Sequence, residues 1–205
     1  MIIGLCGGSG SGKGTVCTIF DELGIPSIDT DLVYHDLTTN KSECLFEIEK
    51  AFGSSVVSGG VLDRAQLARI VFADGNADKL NLLNAIAHKH ILAKTRRMIS
   101  SLRSDGYAHV IVDAPLLFES GFDRECDVII GVVADRNVRL SRIMNRDGID
   151  LASAGRRIDA QLTDEEIVKR CDYVITNNCD IESLKIAVSK IYDDIFGGKN
   201  GKFNS

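Results

Sequence analysis

The segment Gly7-Gly8-Ser9-Gly10-Ser11-Gly12-Lys13 stands between an apolar run, Ile2–Cys6, and a helix-forming stretch, Thr15–Leu23. Nothing else in the chain narrows its fold as much. The glycines let the backbone curl until successive N–H groups face a single point, and the helix that follows adds the partial positive charge of its N-terminus there. Strand, loop and helix in that order hold an anion. The G-x-x-x-x-G-K spacing also sets Lys13 to reach the β- and γ-phosphates of a nucleoside triphosphate. A glycine-rich turn that merely contains a lysine is the competing reading, and the strand, spacing and helix together outweigh it. One position departs from the pattern: the residue after Lys13 is usually Ser or Thr, whose hydroxyl binds Mg²⁺, and here it is Gly14, with Thr15 next.

Five short apolar runs read as strands: Ile2–Cys6, Pro26–Asp29, His109–Asp113, Val128–Ala134 and Tyr173–Thr176. Between them, segments such as Ala65–Phe72 and Leu80–Met98 carry apolar residues at three- and four-residue intervals, the spacing of an amphipathic helix. Strands apolar on both faces that alternate with helices belong to a parallel sheet covered on both sides, so an α/β fold is expected. Almost eighty residues separate the second run from the third, too many for one crossover helix, and we expect a helical lobe inserted there. A second helical excursion, 136–170, precedes the last strand. Both excursions follow the C-terminal ends of strands, where open α/β sheets bind ligands, and the second reads as a lid. A final amphipathic helix is expected over about 181–196, and 197–205 reads as a disordered tail.

Composition excludes several partners. The 24 basic against 29 acidic side chains leave a charge of −5, whereas a nucleic-acid partner calls for a broad basic face. A phosphate-bearing small substrate is still possible, because a local arginine cluster can act against the global sign. The apolar stretch 128–134 is far too short to span a bilayer, and the first residues show no basic leader or cleavage pattern. None of the six cysteines sits in a C-x-x-C pair, which suits a reducing compartment. The expectation is a cytoplasmic domain with no membrane contact and no obligate protein partner. His88 and His90 suggest a metal pair, but residues two apart on a helix point to different faces, which makes that the lesser reading.

Two acids end strands. Asp29 and Asp31 follow the second run, where a carboxylate can face an acceptor hydroxyl and take its proton. Either could instead cap the helix that follows; we expect Asp31 as base and Asp29 as cap or orienting group. Asp113 ends the third run, the usual place for a carboxylate near a metal–water shell. Six of the thirteen arginines lie between Arg136 and Arg157, a stretch without lysine. Arginine gives planar, bidentate contact to phosphate, and the i, i+3, i+7 spacing of Arg139, Arg142 and Arg146 puts them on one helical face. A solvated helix is the bland alternative. Arg142 and Arg146 are the expected lid arginines.

These residues resemble the dephospho-CoA kinase family, and the likeness runs almost end to end. It rests on the glycine-rich loop, on Ile28-Asp29-Thr30-Asp31, and on Leu62-Asp63-Arg64 with Val71-Phe72. The more specific stretches are Asp113-Ala114-Pro115-Leu116-Leu117-Phe118-Glu119 and Arg142-Ile143-Met144-Asn145-Arg146-Asp147, followed by Asp172-Tyr173-Val174-Ile175-Thr176-Asn177-Asn178. The resemblance implies a P-loop kinase core with a five-stranded parallel sheet, formed by 1–31, 109–135 and 171–196. It also implies a helical CoA-binding lobe at 32–108 and a helical lid at 136–170. The activity implied is ATP-dependent phosphorylation of the 3′-hydroxyl of dephospho-CoA, with Mg²⁺. Asp31 then aligns with the proposed base, and Lys13 and Arg142 join it as catalytic residues. Gly8, Ser9, Gly10, Ser11, Gly12, Lys13, Gly14, Thr15, Arg142, Arg146 and Asn177 would bind nucleotide. Asp29, Asp31, Arg64, His88, Asp113, Leu117 and Glu119 would bind the acceptor, and Asp113 would hold the metal through water. Gly14 stands where the family usually has Ser, and His88-Lys89 where it has His-Pro.

The nearest rival is a nucleoside monophosphate kinase of the adenylate or cytidylate type, which shares the Gly-Lys-Gly-Thr ending but would not be expected to carry the Leu-Leu-Phe-Glu loop. A nucleotide-binding switch is a second rival. Asn40-Lys41-Ser42-Glu43 faintly resembles a guanine-reading N-K-x-D, but it has Glu for Asp and comes too early in the chain. A silent binder, given Gly14, is the third.

Overall fold

The computed structural model describes residues 1–73 and 76–197. The chain divides into two compact units, one of 1–27 with 107–205 and the other of 28–106. The segment 136–170 clusters with the first unit.

In the first unit, β1 (Ile2–Cys6), β5 (Val110–Asp113), β6 (Val128–Val133) and β7 (Tyr173–Thr176) pair in parallel. With β2 (Ser27–Asp29) they form a five-stranded sheet in the order β2-β5-β1-β6-β7. This is the parallel α/β sheet that the sequence leads one to expect. The central strands are buried throughout: all four residues of β5 and the last four of β1. That burial is why their sequences run apolar without alternation. Helices α1 (Lys13–Glu22) and α9 (Ile181–Tyr192) supply Val16, Phe20, Leu184 and Val188 to a core with Ile3, Leu5, Ile111, Ile130 and Val132. Phe20 alone, fully buried, contributes about 2–3 kcal/mol by removal from water. Past α9, a π-helical turn, Asp193–Gly197, brings Phe196 into the same core. Gly197 therefore belongs to that turn; the rest of the expected tail, 198–205, lies outside the described residues.

Three further helices, α6 (Arg136–Asp147), α7 (Leu151–Asp159) and α8 (Asp164–Arg170), follow β6. Gly148, at φ 64°, ends α6 in the left-handed conformation. Asp150 caps α7, and Thr163 with Glu166 forms a reciprocal capping box on α8. Ile143, Ala154 and Ile158 make a small core of their own.

The second unit holds α2 (Thr30–Thr39), α3 (Glu43–Phe52), α4 (Arg64–Val71) and α5 (Ala77–Ser104). Asp29, Ser42 and Asp63 cap the first three through side-chain oxygens. Cys44, Leu45, Ile48, Val56, Leu62, Leu67 and Val71 are its core. Beside its helices the unit carries a short hairpin that the sequence reading did not include. β3 (Val57–Ser58) and β4 (Val61–Leu62) form an antiparallel hairpin. Its two-residue turn, Gly59-Gly60, has φ of 60° and 82°, values glycine adopts without strain.

Candidate active site

The glycine-rich loop is shaped by close approaches that only glycine permits. A Cβ on Gly7 would lie 2.3 Å from the carbonyl oxygen of Val132 on β6, and one on Gly12 would lie 2.1 Å from Nδ2 of Asn177. Gly12 is also left-handed, at φ 101°, and caps α1 without any side-chain hydrogen bond. The first turn of α1 thus carries its partial positive charge with no side chain closing it. Lys13 folds back so that Nζ donates to the Gly7 carbonyl at 2.9 Å. Ser11 is fully buried in the loop, and its hydroxyl has no hydrogen-bond partner among the described residues. An orphaned buried hydroxyl, a lysine and an uncapped helix start in one loop fit a polyphosphate.

Two arginines of α6 hold the loop from outside. Arg139, 3% exposed, donates through Nε to the Ser9 carbonyl at 3.0 Å and through Nη1 to Asp164 at 3.0 Å. Its Nη2 reaches Oε1 of Gln161 at 3.2 Å. Gln161 in turn accepts from the Ser9 amide at 2.8 Å and donates to the Ser9 hydroxyl at 3.1 Å. Burial presses the Arg139 guanidinium below its ordinary pKa, with Asp164 opposing that shift. Arg142 donates to the Asn177 carbonyl at 3.0 Å and the Gly10 carbonyl at 3.3 Å. Asn177, buried just beyond β7, donates to the Ser11 carbonyl at 2.7 Å.

Arg146 behaves differently from its two partners in spacing. It is largely exposed and makes a bidentate pair with Asp147 at 2.7 and 2.9 Å, which holds that carboxyl down near a pKa of about 2. One helical face does not guarantee one target. Two turns separate Arg139 from Arg146, and α6 runs past the loop. Sequence reasoning placed Arg139 on this face but did not choose it, and passed over Gln161 altogether. The clue for Arg139 was its place as the first of the three on that face; Gln161 had no local signal.

Asp113, buried at the end of β5, lies within 3.9 Å of the Cys17 sulfur, which donates to Oδ2. Burial, then the charge of Asp113, pushes the Cys17 thiol up to about 12, so it keeps its proton. Leu117 is fully buried, and its methyl groups reach the place where a Cβ on Gly4 would stand, so its side chain packs against β1. Glu119 stays exposed in the same loop. Gly14 and Thr15 are exposed in the first turn of α1, and a Cβ on Gly14 would meet nothing within 4 Å. Among the described residues no three His, Cys, Asp or Glu side chains cluster as metal ligands.

In the second unit, Asp29 Oδ1 accepts from the amides of Asp31 at 2.8 Å and Leu32 at 3.1 Å, which makes it the cap of α2. Asp31 is exposed in the first turn of that helix. Arg64, at the start of α4, bonds His35 at 3.1 Å and lies 6.0 Å from the Tyr34 ring centroid. His88 lies on α5, and its neighbour Lys89 pairs with Glu47 of α3 at 2.7 Å. His90 meets the other oxygen of Glu47 at 3.2 Å.

A family model described as dephospho-CoA kinase matches residues 1–183. A dephospho-CoA kinase of Carboxydothermus hydrogenoformans is 40% identical over 185 residues, which covers 90% of this chain and 89% of that protein. Among solved structures, a Thermus thermophilus protein superposes with a TM-score of 0.78 at 30% identity, covering 95% and 97% of the two chains. The dephospho-CoA kinase of Campylobacter jejuni gives 0.69 at 27% identity, covering 96% and 98%.

Proposed function

The chain belongs to the dephospho-CoA kinase family, and from that premise we propose how its own residues divide the work. The activity is ATP-dependent phosphorylation of dephospho-CoA in coenzyme A biosynthesis. In our reading the phosphates of ATP lie in the curl of residues 7–13, where backbone amides and the Ser11 hydroxyl bond them and Lys13 leaves the Gly7 carbonyl for the β/γ oxygens. Arg142 lies at the loop with its planar fork and stabilises the charge that develops on the transferring group. Arg139, Gln161 and Asn177 hold the loop so that its amides need not reorganise. Asp31 takes the proton of the 3′-hydroxyl, while Asp29, already bonded to two amides, orients the turn.

Mg²⁺ belongs to the same reading, and what it supplies when bound is charge neutralisation between phosphate oxygens. Asp113 fits it as a carboxylate acting through water, with Gly14 offering no side-chain ligand. We read 28–106 as the lobe that holds the acceptor, through Arg64 and His88 among others, and 136–170 as a lid. Glu119 remains an acceptor contact in this reading, and Arg146 a nucleotide contact only if it leaves Asp147. The reading needs no protein partner and no nucleic acid, and it suits the cytoplasm, where thiols stay reduced. No helix of the described residues is long and apolar enough to cross a membrane.

The observation that carries the proposal is the loop itself: an unpartnered, buried Ser11 hydroxyl inside, buried arginine and asparagine contacts outside. Steady-state kinetics of Asp31→Asn and Asp29→Asn test the assignment of the base. Asp31→Asn is expected to lower kcat by roughly 100-fold or more with ATP affinity unchanged, since it keeps shape but cannot accept a proton. A larger kcat loss in Asp29→Asn would reverse the two roles.

A further inference from the structure

Cys6 and Cys171 are 165 residues apart in sequence, yet their sulfurs lie 3.4 Å from each other. Cys6 is the last residue of β1, immediately before Gly7 of the phosphate loop; Cys171 follows α8 and precedes β7. Gly131 on β6 pairs in register with Cys6. A Cβ on Gly131 would lie 2.9 Å from the Cys171 sulfur and 2.8 Å from the Ile167 methyl. The missing side chain is what lets Cys171 come over the sheet to its partner. Cys6 also lines a cleft beside the loop with Gly7, Gly8, Pro115, Phe118 and Gln161, and Cys171 is partly exposed. A small reagent has a way in.

We propose that Cys6 and Cys171 form a reversible redox site, a disulfide that fastens the end of the α6–α8 segment to the strand carrying the phosphate loop. The oxidant is hydrogen peroxide. The Cys171 sulfur attacks one peroxide oxygen, the S–O bond forms as O–O breaks, and the leaving hydroxide takes up the Cys171 proton to become water. The Cys6 sulfur then attacks the sulfenic sulfur; S–S forms, S–O breaks, and the second water carries away the Cys6 proton. Two thiols lose two electrons and one peroxide gains them. The order of attack follows from access: Cys171 is partly exposed while Cys6 is buried, and the sulfur contact together with burial holds the proton on Cys6 by driving its pKa up. A thiol reductant restores the pair.

Bond formation brings the sulfurs from 3.4 Å to about 2.05 Å. Gly7 cannot absorb that shift freely, since it is packed against the Val132 carbonyl and accepts from Lys13. The displacement therefore passes into the loop, and the oxidised enzyme binds ATP more weakly, by about fivefold or more (about 1 kcal/mol or more).

The test treats the full chain with hydrogen peroxide, then reads intact mass, a non-reducing peptide map and ATP affinity before and after reductant. The expected result is loss of two hydrogens, a cross-link between the peptides of residues 6 and 171, and weakened ATP binding that reductant restores. Cys171→Ser and Cys6→Ala should each abolish the cross-link, and Cys171→Ser should leave the unoxidised enzyme's activity as it was. The wild-type map decides the matter even where a variant folds poorly. Oxygen addition without a cross-link, a cross-link through another cysteine, or a 6–171 cross-link that leaves ATP affinity unchanged would overturn the proposal.

Discussion

Lys13 donates to the Gly7 carbonyl at 2.9 Å, a bond that closes the loop and that, in the proposed function, the lysine exchanges for phosphate oxygens. Truncating it leaves the curl but removes the positive charge. Lys13→Ala is therefore expected to reduce kcat by several orders of magnitude, measured as ADP release. A variant that keeps more than about a tenth of the rate, a loss of only ~1.4 kcal/mol, would contradict the role. Gly14 poses the opposite question, because it has no side chain to lose. A Cβ there meets nothing within 4 Å, and its φ is not positive. Gly14→Ser should fold as the wild type does, keep kcat, and hold Mg·ATP at least as tightly. Thr15→Ala should weaken ATP binding more than Gly14→Ala does. Magnesium-dependent ATP titrations of the three variants check this; an inactive Gly14→Ser would show that the position needs glycine for a reason the open space does not reveal.

At the scale of elements, α6 separates three arginines that share a face. Arg139 is buried against Ser9, Gln161 and Asp164, Arg142 reaches Gly10 and Asn177, and Arg146 pairs in solvent with Asp147. Removing Arg139 strands partners in a partly dry site, at a cost of about 3 kcal/mol, or roughly 6–12 °C in Tm for a chain of this size. Arg146→Ala should move Tm by about one degree at most, as exposed pairs contribute little. Arg142→Lys, which keeps charge but loses the fork, should leave Tm unchanged and lower kcat. Thermal melts with kinetics of the three variants read this out; equal Tm losses for Arg139→Ala and Arg146→Ala would refute the division. The strands of the sheet were legible because burial on both faces leaves runs such as Val110-Ile111-Val112 with no polar alternation. The hairpin was not, since strands of two residues are too short to show a period, although Ser58-Gly59-Gly60-Val61 carried its turn. Gln161 and the Cys6–Cys171 contact join positions more than a hundred and fifty residues apart, and no local pattern encodes such a meeting.

For the whole molecule, the proposed function divides the recognition problem between the two compact units. The first carries the phosphate loop with its arginines, and the second carries Asp29, Asp31, Arg64 and His88 on a separate core. A phosphate loop alone would serve many kinases; the length of the family match, which crosses both units, is what ties the acceptor to dephospho-CoA. The nucleoside monophosphate kinase reading shares the fold and the loop ending but explains none of the Asp113–Glu119 stretch. The most direct test is ADP release by the wild-type chain with ATP and Mg²⁺, compared across dephospho-CoA, AMP and CMP as acceptors. The predicted result is turnover with dephospho-CoA, yielding a product phosphorylated at the 3′-hydroxyl, and no more than background with the two nucleotides. A higher kcat/KM with AMP or CMP than with dephospho-CoA, or phosphate found elsewhere on the product, would contradict it.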